Sequence, residues 1–341
     1  MQQKGFSLVE VLVTIVIVVV MLLVCYQMID ETMRTSLFTE SHNDLAVMSQ
    51  RAINSLQTEI MQTRVAFEEN TAGAAYRAAL TMPAGVTVWP DSFLPLFQPS
   101  SGTILPDPAD KRFTGNSLLL ARQLPPLSVM YDHDNNGGTP QVEFLADRYQ
   151  FEYVHLIRAA APSFSGSGMT LDLHLSTSAE YADYFQLEAL SDFATTRIVP
   201  RLIAAGMQRA WNPGQPVNSS FYELAQATDG RFNNAVNSVT IPIVSSRTLL
   251  RGLRGGRITG RMPYSVAFVP NSPAQPYPIP TPIRTFAQPI NGKPGFPSGF
   301  EVKITGPARK RQVMTRLVLM SHHSTSRYES QQAFVITAAR F

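Results

Sequence analysis

The feature that most constrains this chain is a run of 24 residues, Phe6 to Ile29, in which Glu10 is the only charged side chain. Wound as a helix at about 1.5 Å per residue, such a run crosses the roughly 30 Å hydrocarbon core of a bilayer. The sequence therefore predicts one pass through a membrane. Glu10 lies near the start of that run, where an ionised carboxylate costs somewhat less than the roughly 2.5–3.5 kcal/mol it costs at mid-bilayer. It needs a cationic partner.

A short polar leader, Met1 to Gly5, precedes the run and carries Lys4. Cleavage after Gly5 would create the partner, because the new α-amino group on Phe6, with an ordinary pKa near 8, is cationic at neutral pH. Two simpler readings explain less. A secretory signal peptide has an apolar core of about 7–15 residues followed by a small-residue cleavage site, whereas this run is longer and ends in Tyr26-Gln27-Met28. An unprocessed anchor accounts for the length and leaves Glu10 unpaired.

The stretch Lys4-Gly5-Phe6-Ser7-Leu8-Val9-Glu10-Val11-Leu12-Val13 resembles the processing signal of type IV prepilins and of type II secretion pseudopilins. The resemblance implies cleavage after Gly5 by a prepilin peptidase, N-methylation of Phe6, and a role for Glu10 in assembly. It implies an α+β, pilin-like fold: a long N-terminal helix packed on an antiparallel β-sheet domain with large loop insertions. The implied partners are other pilins through that helix, the peptidase and an inner-membrane assembly platform. The chain would sit in the inner membrane with its globular part on the non-cytoplasmic side, and then in a pilus or pseudopilus.

On this reading the chain divides into a leader (1–5), a membrane half-helix (6–29), an amphipathic half-helix (30–72) and a β-rich domain (73–341). No Gly or Pro, the residues that most disfavour a helix interior, occurs from Phe6 to Ala72. Leu37, Phe38, Leu45, Met48, Ala52, Ile53, Leu56 and Ile60 form an apolar stripe at helical spacing. Strands are predicted at Ser117–Arg122, Val142–Tyr153 with a bulge near Ala146, Thr170–Ser176 and Val236–Val244, with Pro242 marking an edge. Ser178 is expected to cap a helix over Ala179–Phe193, and Ile198–Trp211 reads as strand, turn and strand. The chain closes with a hairpin of Gln312–Met320 and Gln332–Ala339, which resembles the last strands of PilW-like minor pilins. Prolines crowd residues 263–297, so that segment must be extended.

Two stretches suggest ligands. Asp132-His133-Asp134-Asn135-Asn136-Gly137, with Glu143 further on, fits the calcium-loop pattern, offering oxygens from Asp132, Asp134, Asn136 and Glu143 to Ca²⁺. The flanks look like strands rather than helices, and a hairpin turn uses the same residues. The charge is also divided: Lys and Arg number 14 against 23 Asp and Glu through residue 246, and 14 against 2 beyond it. The densest piece, Arg251, Arg254, Arg257 and Arg261 among glycines, admits a polyanion such as nucleic acid, although it lacks a P-loop ending and also reads as a mobile loop. The basic third packing against the acidic first part, in the same fold or a neighbour, is the simpler account.

No enzyme motif is present: the chain has no G-x-S-x-G, no H-E-x-x-H and no C-x-x-C. Its one cysteine, Cys25, lies in the apolar run, so no intrachain disulfide closes the domain. The expectation is a large minor pilin or pseudopilin. The alternatives are a tip adhesin or DNA-capturing pilin using the basic third, and a membrane-anchored, calcium-dependent interaction module.

Overall fold

In the computed structural model, residues 7–90, 92–97, 114–133, 141–158, 170–224, 239–254, 300–305, 311–323 and 326–339 are described. Helix α1 (Leu8–Met61) is 54 residues long, about 80 Å at the α-helical rise. It ends eleven residues short of Ala72, the boundary expected from the lack of Gly and Pro. Residues Thr63–Phe67 instead form β1, which pairs antiparallel with β4 (Leu118–Tyr131). Thr63 and Val65 are β-branched, and the partner strand supplies the hydrogen bonds that another helical turn would have made. A second helix, α2 (Thr71–Ala79), is capped by the Asn70 side chain, which accepts from the Gly73 amide at 2.8 Å. Gly73 thus opens a helix rather than ending one.

The remaining elements are β2 (Leu80–Thr81), β3 (Thr114–Gly115), β5 (Val142–Arg158), β6 (Thr170–Asp183), α3 (Tyr184–Glu188) and α4 (Asp192–Ala204). They continue with β7 (Arg209–Trp211), β8 (Phe221–Glu223), β9 (Ile241–Arg254), β10 (Phe300–Thr305), β11 (Arg311–His323) and β12 (Ser326–Ala339). Among the described residues the strands join in the order β1-β4-β5-β6-β9-β11-β10-β3, with β12 paired to β11. Pairing along this path is antiparallel; only β7 on β6 and β2 on β9 run parallel. The fold is α+β and pilin-like, a long apolar helix leading into a mostly antiparallel sheet.

Both faces of the sheet are covered. Ala52, Ile53, Leu56 and Ile60 of α1 pack on Leu118, Leu120, Val154, Leu156, Leu173 and Leu250. Each fully buried Leu or Ile stabilises the dock by about 1.5–3 kcal/mol. Of the stripe residues whose side chains are described, these four of α1 are buried, while Leu37 and Met48 stay exposed. On the opposite face Phe67, Tyr76, Phe151, Tyr181, Trp211 and Phe221 form an aromatic cluster. Residues Leu118 to Ala121 are all buried because alternate side chains enter the two cores, as expected of a strand covered on both sides.

Several local expectations are corrected. The irregularity near Ala146 is present, but the extra residue lies across the ladder: Pro125 and Pro126 bulge from β4 opposite Asp147. A bulge is where a strand tolerates proline. Pro242 sits at the entry to β9, paired with Thr81 of β2; β6 joins β9 from Ile243 onward and β11 meets it at Leu253. Ser178 lies in β6, accepting from the Phe151 amide, and Asp183 caps α3 instead. Residues 192–204 are helical: Ser191 caps them, and Ala194, Thr195, Ile198, Val199 and Leu202 are buried at helical spacing. Gly206, at φ +95°, turns the chain back toward β7, a conformation that glycine adopts without strain. The closing hairpin is observed, with β11 and β12 antiparallel from Arg311↔Ala339 to His323↔Ser326.

The segment before β3 is held as a strap. Glu69 accepts from the Leu94 amide at 2.6 Å, Glu68 from Phe97 at 3.0 Å, and Asn116 from Phe93 at 2.9 Å. A Cβ on Gly115 would collide with the backbone of Phe93, Leu94 and Pro95. Gly115→Ala is therefore expected to destabilise the domain by about 1–3 kcal/mol, read as a lower midpoint in thermal unfolding.

Candidate functional site

The site begins at the helix N-terminus. Ser7 is the N-cap: its Oγ accepts from the Val9 amide at 3.3 Å, while its own amide donates to Glu10 Oε2 at 3.0 Å. This reciprocal capping box satisfies two of the amide groups that a helix start leaves free. Glu10 is thus turned toward the N-terminal end of α1, one turn from the position where cleavage would place a new amine. Gly5 and Phe6 themselves lie outside the described residues.

Within the 30 residues Leu8–Leu37, an 18-residue window reaches a mean hydropathy of 3.2 with none of it buried against the domain. About 45 Å of helix is more than enough to cross a bilayer. Among the described residues the buried positions of α1 lie in its second half, so the apolar half is presented to lipid or to other chains.

At that other end a charge cluster joins α1 to the sheet. Glu59, buried on α1, binds Arg122 of β4 at 2.5 Å and Arg247 of β9 at 3.2 Å, and Arg122 also binds the buried Glu152 of β5 at 3.0 Å. Burial pushes the Glu152 carboxyl up to about 7; the neighbouring Glu59 adds to the rise and Arg122 opposes it. Arg247 belongs to the basic third and Glu59 to the acidic first part, so this one ion pair joins the two regions.

The other predicted ligand groups fall only partly within the described residues. Tyr131 pairs with Val142, so the flanks of the proposed calcium loop are the strands of a hairpin. Glu143 accepts from Ser128 Oγ, and the carbonyl of Asp132 accepts from Arg197 at 3.1 Å. Asp134 and Asn136 lie outside the described residues. Among the described residues no group of three or more His, Cys, Asp or Glu is placed to hold a metal. Arg251 and Arg254 belong to β9, not to a loop, because the neighbouring Leu250 and Leu253 are buried and Leu253 pairs with Leu171 and Leu319. Arg257 and Arg261 lie outside the described residues.

A histidine pair escaped the sequence reading. His155 on β5 is fully buried, faces His174 on β6, and bonds Ser176 Oγ at 2.8 Å. Burial, with His174 adding to it, pushes the His155 imidazole down to about 4. The two residues are distant in sequence, and only strand pairing brings them together.

Residues 1–26 match the prokaryotic N-terminal methylation motif. No curated protein and no solved structure was found to match the chain. The motif, with an exposed apolar helix running into an antiparallel sheet, marks a type IV pilin-like protein with a prepilin-type N-terminus. Such proteins are in general structural rather than enzymatic, and the motif implies processing by a prepilin peptidase and assembly with pilins. An N-terminal membrane anchor is in keeping with both.

Proposed function

We propose that this chain is a minor pilin or minor pseudopilin, a structural subunit that joins or primes a type IV pilus or type II secretion pseudopilus. The observation that carries the reading is the division of α1: Ala52, Ile53, Leu56 and Ile60 are buried in the domain, while the apolar window within Leu8–Leu37, with Glu10 in the first turn of the helix, has no buried residue. An apolar helix of that length is stable only in lipid or packed among similar helices. On this reading residues 1–5 are the leader, Gly5–Phe6 the cleavage site and Phe6 the methylated terminus. The subunit waits as a single-pass protein of the inner membrane. The part of α1 beyond Ile29, ending at Met61, carries the domain.

Glu10 then has two donors to choose between. In the lone chain it accepts from the Ser7 amide; in an assembly it would take the cationic terminus of a packed neighbour. The size of the domain suits a low-abundance subunit whose loops need not repeat along a shaft. The test is Gly5→Leu. The full chain should remain in the membrane with its leader attached and be missing from sheared filaments. Normal trimming and normal recovery would overturn the reading.

A further inference from the structure

We propose that Pro83–Pro90 is an acid-released latch on the edge of β5, let go when His155 takes up a proton. Strand β4 covers that edge only as far as the Leu118↔Val154 pair. Beyond it Val88 bridges to Ile157, and the Trp89 amide donates to the Leu156 carbonyl at 2.7 Å. His155 lies beside these attachments, fully buried, with the Tyr153 ring stacked on it at 4.8 Å.

Among the described residues the groups bonded to His155 and its partners are hydroxyls. Its Nε2 meets Ser176 Oγ, which donates to Ser246 Oγ at 3.0 Å. The facing His174, with its ring 6.1 Å away, bonds Thr248 at 3.1 Å. Asp172 on β6 and Arg251 on β9 act on His174 with opposite signs. Glu69 and Arg77 act on the Tyr153 hydroxyl, while Glu152 faces α1 from the other side of β5 and is bound to Arg122. Residues 83–90 carry no ionisable side chain. Among the described residues no carboxylate faces His155, so an imidazolium here is stabilised by reaching water.

The element that yields is the one held least. Strands β4 and β6 grip β5 by long ladders, whereas among the described residues Pro83–Pro90 joins β5 at Val88 and Trp89 alone. Both of its ends stay fixed: Leu80 and Thr81 pair with β9, and Arg77 bonds the Ser92 carbonyl at 2.6 Å. Closed, the site keeps the imidazole near a pKa of about 4; opened to water it returns toward about 6.5. The ratio of open to closed latch should therefore rise by up to about 300-fold as pH falls from above 6.5 to below 4.

Trp89 reports this directly, since the chain has only two tryptophans and the other, Trp211, is fully buried. In the full-length protein in detergent micelles, acrylamide quenching should increase between pH 6.5 and 4.5 with the far-ultraviolet dichroism unchanged. The increase should be absent from Trp89→Phe and from His155→Gln, which keeps a hydrogen-bonding group toward Ser176. Flat quenching in the native protein, or an equal rise in His155→Gln, overturns the latch. Should His155→Gln fail to fold, hydrogen exchange of the native protein decides. Acid-induced loss of protection at 83–90 with 92–97 still protected supports the latch; protection lost equally in both, or in neither, refutes it.

Discussion

Replacing Glu10 by Ala is expected to leave the chain in the membrane at normal or higher level and to lower its recovery in sheared filaments by tenfold or more. Insertion improves because an ionisable group is removed from lipid. Assembly fails because the terminal amine of a neighbour loses its counter-charge in a dry environment, where stranding one member of a buried pair costs about 3–5 kcal/mol. A tenfold loss needs only about 1.4 kcal/mol of that. Glu10→Gln separates the two roles of the side chain. It keeps an acceptor for the Ser7 amide and removes the charge, so it should fold α1 normally and still fail to assemble. Recovery of either variant at the level of the native protein would refute the pairing role.

A second large effect concerns β5, which carries two buried titrating groups whose contributions oppose each other. Glu152 has its folded pKa raised to about 7, above its ordinary value of about 4.3. The unfolded chain therefore loses that proton first, and stability falls as pH rises through this window. His155 is lowered to about 4, so below about 6.5 the unfolded chain gains a proton that the fold refuses, and stability falls as pH drops. Each slope is at most about 1.4 kcal/mol per pH unit. Between pH 4.5 and 6.5 the two oppose each other, and release of the Pro83–Pro90 segment lessens the His155 contribution without changing its sign.

The variants expose the opposition. Glu152→Gln should leave a stability that climbs with pH across this window, and His155→Gln one that declines with pH. Thermal unfolding midpoints taken along a pH series would show the two opposite slopes. Parallel curves for both variants would mean that these two residues do not govern the acid response.

What could be read from the sequence was what depends on neighbours along the chain. The span, the Gly5-Phe6 signal and Glu10 all lie within one short stretch, and the closing hairpin joins strands that are adjacent in sequence. Misreadings arose where distant pairing outweighed local preference. Residues 62–72 lack any helix breaker, yet Thr63–Phe67 pairs with Leu119–Arg122 and leaves the helix. Residues 198–204 look strand-like from Ile198, Val199 and Pro200, but the buried set at 194, 195, 198, 199 and 202 belongs to a helix. That stripe, with Ser191 before it and Gly206 after it, was the available signal. The Glu59–Arg122–Glu152 cluster offered none, because its members come from α1, β4 and β5 and meet only once the sheet has formed.

The mass of the chain recovered intact from native membranes and filaments tests the central claim most directly. The account predicts a polypeptide lacking Met1 to Gly5 and beginning at an N-methylated Phe6. A chain that starts at Met1, or one cut beyond Tyr26, would contradict it.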